Sequence, residues 1–157
     1  MRFRIGDKIL AFDLIDLDQT VIGLNSDSFT EDGKHIFMAD LDGMDLEESR
    51  KEARRLIKKF DLPHMLVFQS SEDSHHLYSL TPLTFDELVK ITFESKTDYN
   101  HKLCLLHNKF ATLRVTEKEQ KPSSIDFKGE IENGDSEREL LDGAKTALFK
   151  LTGDMDD

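Results

Sequence analysis

The chain of 157 residues has a single cysteine, Cys104, and no apolar run near the roughly 20 residues of a membrane-spanning helix. One cysteine cannot form an internal disulfide, and it cannot supply the cysteine set of a zinc module. The surrounding sequence KLCLL predicts that Cys104 is a small core residue. Asp7, Lys8 and Asp13 interrupt the N-terminal stretch MRFRIGDKILAFDL, which therefore lacks the apolar segment of a signal peptide. We expect an intracellular, cytoplasmic protein without membrane association.

Basic residues are also scarce. The chain has 21 Lys and Arg against 32 Asp and Glu, a formal net charge of −11. This balance argues against a sequence-independent nucleic-acid binder, because phosphate contacts need Lys and Arg. Residues 101–121 depart from it, with five Lys and Arg against two Glu. That segment is either a local basic stripe or an ordinary solvated mixture of charges.

Internal repeats, low-complexity tracts and linkers are missing, and 157 residues suit one domain with one core. The motif G-x-x-x-x-G-K-[S/T] is absent as well, which excludes a P-loop helicase within this chain. We expect a single domain, 1–157, with three parts. Residues 1–34 form N-terminal strands and turns, 35–132 form the core, and 133–157 form a C-terminal helix and an acidic tail.

From His35 onward, the predicted elements follow the order strand, helix, strand, strand, helix, strand. Asp45 with Glu48, and Thr84 with Glu87, have the spacing of capping boxes, so each pair marks the start of a helix. This order is that of the split βαβ core, the ferredoxin-like or RRM-like arrangement, and it predicts an α+β protein. We expect the first and last of these strands to lie side by side at the centre of the sheet.

The first strand ends in two carboxylates one residue apart, in the sequence HIFMADLDGMD. Residues i and i+2 of a strand point to the same side, so Asp40 and Asp42 are predicted to share a face. Two such anions repel each other unless a cation or a proton lies between them, and oxygen ligands suit Mg²⁺ or Mn²⁺. The alternative is that this D-x-D only ends a strand and caps a helix. Asp16 and Asp18 form a second D-x-D, which shows how readily an acidic chain makes the pattern.

A second stretch whose side chains could bind a ligand is SSEDSHHLY, where a turn leads into His75 and His76. A histidine at the start of a strand can hold a phosphate oxygen as a hydrogen-bond donor or as a cation. Adjacent histidines point to opposite faces, so only one of the two can face such a site. The alternative is a structural histidine within the sheet.

Together, D-x-D, an amphipathic helix, a strand and then S-x-H resemble the catalytic core of the archaeo-eukaryotic primase superfamily, which includes the primase-polymerases. The resemblance extends from about Ile36 to Ile131. It implies that Asp40 and Asp42 hold Mg²⁺ or Mn²⁺, and that Ser74 and His76 bind the incoming nucleotide. It also implies two-metal nucleotidyl transfer on a single-stranded nucleic-acid template, with nucleoside triphosphates as substrates. A helicase or another replication protein is the implied partner.

The family's third motif is a carboxylate after an apolar residue, and this chain offers two candidates for it. Asp98, in KTDYNHK, is the first candidate, and Asp126, in SIDF, is the second. The stretch FATLRVTEKEQK resembles the basic strand that follows this motif in primase-polymerases. The resemblance therefore implies that Arg114 and Lys118 hold the triphosphate.

Two other interpretations remain open. The stretch FMADLDGM also resembles the first motif of haloacid-dehalogenase-type phosphatases, with Asp40 as nucleophile and Asp42 as general acid and base. Those enzymes need a parallel Rossmann-like sheet, which the predicted hairpin MLVFQSSEDSHHLYSL does not suit. The other alternative is a non-enzymatic acidic α/β interaction protein or a degenerate primase subunit.

Overall fold

The computed structural model describes residues 2–5, 8–11, 23–115, 125–141 and 143–152. The described strands are β1 (Arg2–Ile5), β2 (Lys8–Ala11), β3 (Gly23–Asn25), β4 (His35–Asp42), β5 (His64–Ser71), β6 (Ser74–Leu83), β7 (Thr112–Arg114) and β8 (Asp126–Glu132). The described helices are α1 (Leu46–Phe60), α2 (Phe85–Glu94), α3 (Tyr99–Asn108) and α4 (Ala144–Thr152).

The central feature is a four-stranded antiparallel sheet with the strand order β4-β6-β5-β8. Strands β4 and β5 are joined by α1, and β6 lies between them and pairs antiparallel with both. This is the split βαβ arrangement, so the sequence-based prediction of an α+β core of this type is confirmed.

The predicted neighbour of β4 is wrong. The strand after the second helix, β7, pairs with β3, while β8 joins the far edge of the sheet beside β5. In the described sheet, β4 is therefore an edge strand. The segment before α3 covers this edge, since Thr97 and Asp98 bond to the backbone of Asp40, and His101 bonds to the carbonyl of Met38.

Both helix starts follow the predicted capping boxes. The Asp45 carboxylate accepts the N–H of Glu48, and the Glu48 carboxylate accepts the N–H of Asp45. Thr84 and Glu87 make the same reciprocal pair at the start of α2. Because each pair satisfies two otherwise unbonded donors, both helices begin at a defined residue.

The sheet is covered on both faces. Helix α1 lies on the face of His75, whose Nδ1 is 3.0 Å from the carbonyl oxygen of Met44, just before the helix. Helix α4 lies on the other face, where the Phe149 ring packs edge-on against Phe68 and Phe127 at centroid distances of 5.6 and 4.7 Å. Layers on both faces explain why β5 and β6 are buried almost throughout.

Helix α3 lies beside the outer edge of β4. It buries His101 and Leu105 against the edge of the sheet but exposes Tyr99 and Leu103. Cys104 is exposed as well, so the prediction that it is a core residue is wrong. Apolar residues lie on both sides of this helix, so its sequence lacks the period from which the buried side is inferred. Of the helices that the structure describes, none has the length and apolar character to cross a membrane.

Candidate functional site

The register between β4 and β6 brings the two sequence motifs together. Asp40 lies directly opposite His76, and Asp42 lies directly opposite Ser74. Residues opposite each other in an antiparallel pair point to the same face. The D-x-D and the S-x-H therefore form one polar patch of four side chains, Asp40, Asp42, Ser74 and His76. In the sequence, Asp42 and His76 are 34 residues apart.

The backbone of Asp40 shows which type of cross-strand pair this is. Its N–H donates to the Thr97 hydroxyl at 2.9 Å, and its carbonyl accepts from the same hydroxyl at 2.9 Å. Both polar groups thus point away from β6, so Asp40 and His76 form a non-hydrogen-bonded pair. In such pairs the Cα atoms are about 1 Å closer than in hydrogen-bonded pairs, which brings the side chains together.

Side-chain contacts follow the register. Asp40 Oδ1 is 3.7 Å from His76 Nε2, and Asp42 Oδ1 accepts a hydrogen bond from Ser74 Oγ at 2.9 Å. The His76 side chain is 4% exposed, whereas that of Asp40 is 31% exposed. The imidazole therefore forms the floor of the patch, and the carboxylate reaches solvent above it.

The turn after the patch depends on a glycine. Gly43 has φ +69°, in the left-handed region that side-chain-bearing residues rarely adopt. This turn lets the N–H of Met44 donate to the carbonyl oxygen of Asp73 at 3.2 Å, just before β6 begins. Gly43 thus ties the end of β4 to the start of β6 immediately beside Asp42 and Ser74.

Asp40 and Asp42 are the residues of this patch that could hold a hard divalent cation. They sit on the same face of one strand and offer carboxylate oxygens, which Mg²⁺ and Mn²⁺ prefer. Within residues 23–115, 125–141 and 143–152, no group of three or more His, Cys, Asp or Glu side chains is placed to hold a metal.

The first candidate for the third carboxylate, Asp98, is beside the site through its backbone. Its N–H donates to the carbonyl oxygen of Asp40 at 3.1 Å. Its carboxylate caps α3 by accepting the N–H groups of Asn100 and His101 at 2.8 and 3.2 Å. Asp98 therefore borders the patch while its side chain serves the helix.

The second candidate, Asp126, is far from the patch. It lies on β8 opposite Gln69, which in turn lies opposite His75. Because His75 and His76 are adjacent in a strand, Asp126 is on the opposite face from the patch. It is also three strand spacings of about 4.8 Å away from β4. The structure does not bring it to Asp40.

Of the two predicted triphosphate ligands, one is described. Arg114 donates from Nη2 to the carbonyl oxygen of Ser70 at 3.0 Å, so its side chain reaches from β7 to β5. The guanidinium is close enough to Tyr78 to lower the pKa of that hydroxyl. Arg114 is thus near the polar patch, while Lys118 lies outside the described residues.

The two adjacent histidines separate as alternation predicts. His76 faces Asp40, and His75 faces α1. Burial lowers the pKa of His75, and its bond to the Met44 carbonyl oxygen partly opposes this shift. His75 is therefore part of the packing around α1, and His76 belongs to the patch.

Sequence reasoning missed two residues of the site. Tyr78 lies two residues after His76 in the same strand, and its hydroxyl is 3.4 Å from His76 Nδ1. Period-two alternation alone could have identified it. Thr97 had no such signal, because it meets Asp40 from 57 residues away in sequence.

The fold bears on the phosphatase alternative. Those enzymes need a parallel sheet, whereas β4 pairs antiparallel with β6 and the whole four-stranded sheet is antiparallel. Comparison of the chain with protein-family models, with curated proteins and with solved structures found no match.

Proposed function

We propose that this chain is a primase-like nucleotidyltransferase that makes or extends short strands on a single-stranded template. The observation that carries the proposal is the register of β4 against β6, which sets Asp40 opposite His76 and Asp42 opposite Ser74. Two motifs that resemble those of primases thus meet at one place on a split βαβ core. If the D-x-D only ended a strand, there would be no reason to expect a histidine and a serine directly opposite it.

The proposed reaction joins the 3′ oxygen of a strand to the α-phosphorus of a nucleoside triphosphate, and pyrophosphate leaves. Asp40 and Asp42 would hold Mg²⁺ or Mn²⁺, and such ions polarise phosphoryl oxygens and offset the charge that develops on them. His76 Nε2 would hold a phosphate oxygen. The Ser74 hydroxyl donates to Asp42 and has one proton, so it would leave that bond to hold another phosphate oxygen. Arg114 would add a positive charge there.

The template would pass the basic side of the domain. Lys102 lies in α3, Lys109 is the C-cap of that helix, and Arg114 is the last residue of β7. Helix α3 begins beside Asp40. A local basic segment is the feature that an otherwise acidic chain needs to approach phosphates. We place a helicase or another replication protein as the partner that brings the template, and the cytoplasm as the location.

The test is incorporation of labelled nucleotides on a single-stranded template, with Mn²⁺ or Mg²⁺, and with or without a primer. The variant is Asp40→Asn/Asp42→Asn, which keeps the size of both side chains. The matched control is Asp126→Asn, which alters a carboxylate on the other face. We expect metal-dependent products from the wild type and from the control but none from the double variant. Equal activity in the double variant would place the chemistry elsewhere.

One observation favours a second candidate, a degenerate core that binds nucleotide without catalysis. The Asp98 carboxylate caps α3 through Oδ2, and the described residues contain no group of three His, Cys, Asp or Glu side chains placed to hold a metal. On this alternative, the wild type binds a nucleoside triphosphate with Mn²⁺ but adds none to a primer. Calorimetric titration beside the incorporation assay separates the two candidates, because only the enzyme gives both binding and products.

A further inference from the structure

Tyr78 lies beneath the polar patch, on the side of His76 that faces away from Asp40. Its hydroxyl is 3.4 Å from His76 Nδ1, while His76 Nε2 is 3.7 Å from Asp40 Oδ1. The side chain of Tyr78 is completely buried, and its ring packs edge-on against Phe68 at a centroid distance of 5.6 Å. Asp40, His76 and Tyr78 thus form a chain of three polar groups that runs from solvent into the core.

The chemistry of the two ends determines which nitrogen of His76 carries the proton. A carboxylate only accepts hydrogen bonds, so Asp40 favours the form of His76 that carries a proton on Nε2. In a neutral imidazole the other nitrogen then accepts, and the Tyr78 hydroxyl is the donor that faces it. Burial raises the pKa of the Tyr78 hydroxyl, and the Asp40 carboxylate adds to this shift while Arg114 opposes it, so the phenol keeps its proton.

We propose that Tyr78 is a positioning residue for His76, because its hydroxyl donates to Nδ1 and so holds an Nε2–H donor toward Asp40. A fixed Nε2–H is suited to an anionic oxygen that binds beside Asp40, and a phosphate oxygen is the ligand of that kind that the proposed function supplies. The ligand therefore rests on the proposed function, whereas the tautomer and the orientation of His76 rest on the geometry alone.

The first experiment measures the tautomer directly. Long-range ¹⁵N–¹H spectra of the histidine rings, recorded above neutral pH, report which nitrogen carries the proton, and His76→Gln identifies the signals of His76. We expect the Nε2–H tautomer in the wild type, and a downfield shift of the Nδ1 resonance in Tyr78→Phe as that nitrogen loses its donor. Tyr99→Phe is the matched control, since Tyr99 is the other tyrosine and is 68% exposed. An Nδ1–H tautomer, or an unchanged Nδ1 resonance in Tyr78→Phe, would overturn the proposal.

The second experiment tests the consequence for nucleotide. Loss of one hydrogen bond corresponds to about a fivefold change in an equilibrium constant. We expect Tyr78→Phe to raise KM for the nucleoside triphosphate about fivefold while kcat changes less than about twofold, since the hydrogen bond orients a binding group. An unchanged KM would remove the link to phosphate. If the wild type incorporates nothing, the proposed function fails, but the spectra still decide the role of Tyr78.

Discussion

One hydroxyl group, that of Thr97, satisfies both backbone polar groups of Asp40. It accepts the Asp40 N–H at 2.9 Å and donates to the Asp40 carbonyl oxygen at 2.9 Å. Thr97 thus takes the place that a neighbouring strand would have beside β4. The position of the Asp40 carboxylate depends on this contact, because the side chain is carried by the backbone that Thr97 holds.

Replacement of Thr97 by valine should therefore affect both stability and activity. Valine has the shape of threonine but lacks the hydroxyl, and Thr97 is 5% exposed. We expect Thr97→Val to lower the free energy of unfolding by about 1–2 kcal/mol, measured by urea denaturation. Nucleotide incorporation should also fall, because the Asp40 edge is loosened. Thr146→Val, at an exposed threonine of α4, is the control and should cost less than about 0.5 kcal/mol. Equal losses in both variants would contradict the special role of Thr97.

Replacement of Asp42 by asparagine should separate activity from stability. Asparagine can still accept the hydrogen bond from Ser74, and the change removes a negative charge close to Asp40. Since like charges repel, we expect the free energy of unfolding to stay constant or rise by about 0.5 kcal/mol. We expect metal-dependent nucleotide addition to fall at least about 100-fold, as for loss of a group that stabilises developing charge. A loss of activity that tracks a loss of folded protein would be evidence of a structural role only.

Stability should fall as the pH drops below 6.5. Burial lowers the pKa of His35, His64, His75 and His101 from the usual 6.5. Below that pH the unfolded chain binds protons that the folded chain still excludes, so acid favours unfolding. The loss begins near pH 6.5 and continues as the pH falls toward the lowered pKa values. Urea midpoints measured from pH 7.5 down to 5.5 would show it.

A variant of His64 tests this prediction. Its Nε2 accepts the backbone N–H of Leu80 at 3.1 Å, so protonation there would break a buried bond. In His64→Gln the side-chain carbonyl can accept the same N–H but cannot titrate, and we expect a shallower pH dependence. Identical slopes in the wild type and His64→Gln would contradict the role given to His64.

The ion pair between Glu52 and Arg55 should contribute to stability. The Arg55 guanidinium bonds to both carboxylate oxygens of Glu52 at 2.8 and 2.7 Å, and Glu52 also accepts the N–H of Lys96 at 3.0 Å. Burial opposes the charge on Glu52, but these bonds outweigh it and lower the pKa of the carboxyl. We expect Glu52→Gln to cost about 2 kcal/mol of unfolding free energy, because it weakens the junction between α1 and the end of α2.

A surface ion pair on the same helix supplies the comparison. Glu47 and Arg54 are 3.4 Å apart, with side chains 57% and 54% exposed. Because such pairs contribute little, Glu47→Gln should change the free energy of unfolding by less than about 0.5 kcal/mol. Both variants remove one negative charge from α1, so a difference between them reports burial and bonding rather than net charge. Equal effects would show that the buried pair adds nothing beyond its charge.

Local patterns in the sequence predicted the parts of the fold that local forces determine. The capping boxes at Asp45 and Thr84 located both helix starts, since each depends only on residues three positions apart. Alternation in β4 and β6 predicted the shared face of Asp40 and Asp42 and the separation of His75 from His76. These contacts form between neighbours in the chain, so the chain alone specifies them.

The parts of the fold and the site that the sequence does not reveal depend on contacts between distant residues or on where a helix begins. The expectation that β4 is central failed because Thr97, from another part of the chain, occupies its outer edge. The sequence does not show that α3 begins at Tyr99 and that the Asp98 side chain caps it. Asp98 was therefore the first candidate for the third carboxylate. A capping aspartate and a metal-binding aspartate look the same in sequence, and only the start of the helix distinguishes them.

The covered edge of β4 also affects how the domain meets other chains. An open sheet edge invites a strand from another molecule, which is the first step of edge-to-edge aggregation. Here the outward carbonyl of Met38 and both backbone groups of Asp40 are already bonded within the chain. At the opposite edge, the ladder between β5 and β8 is irregular, and Arg50 donates to the Lys128 carbonyl oxygen at 2.8 Å. A foreign strand would have to break the bonds at β4 first, which disfavours edge-to-edge pairing at that edge of the sheet.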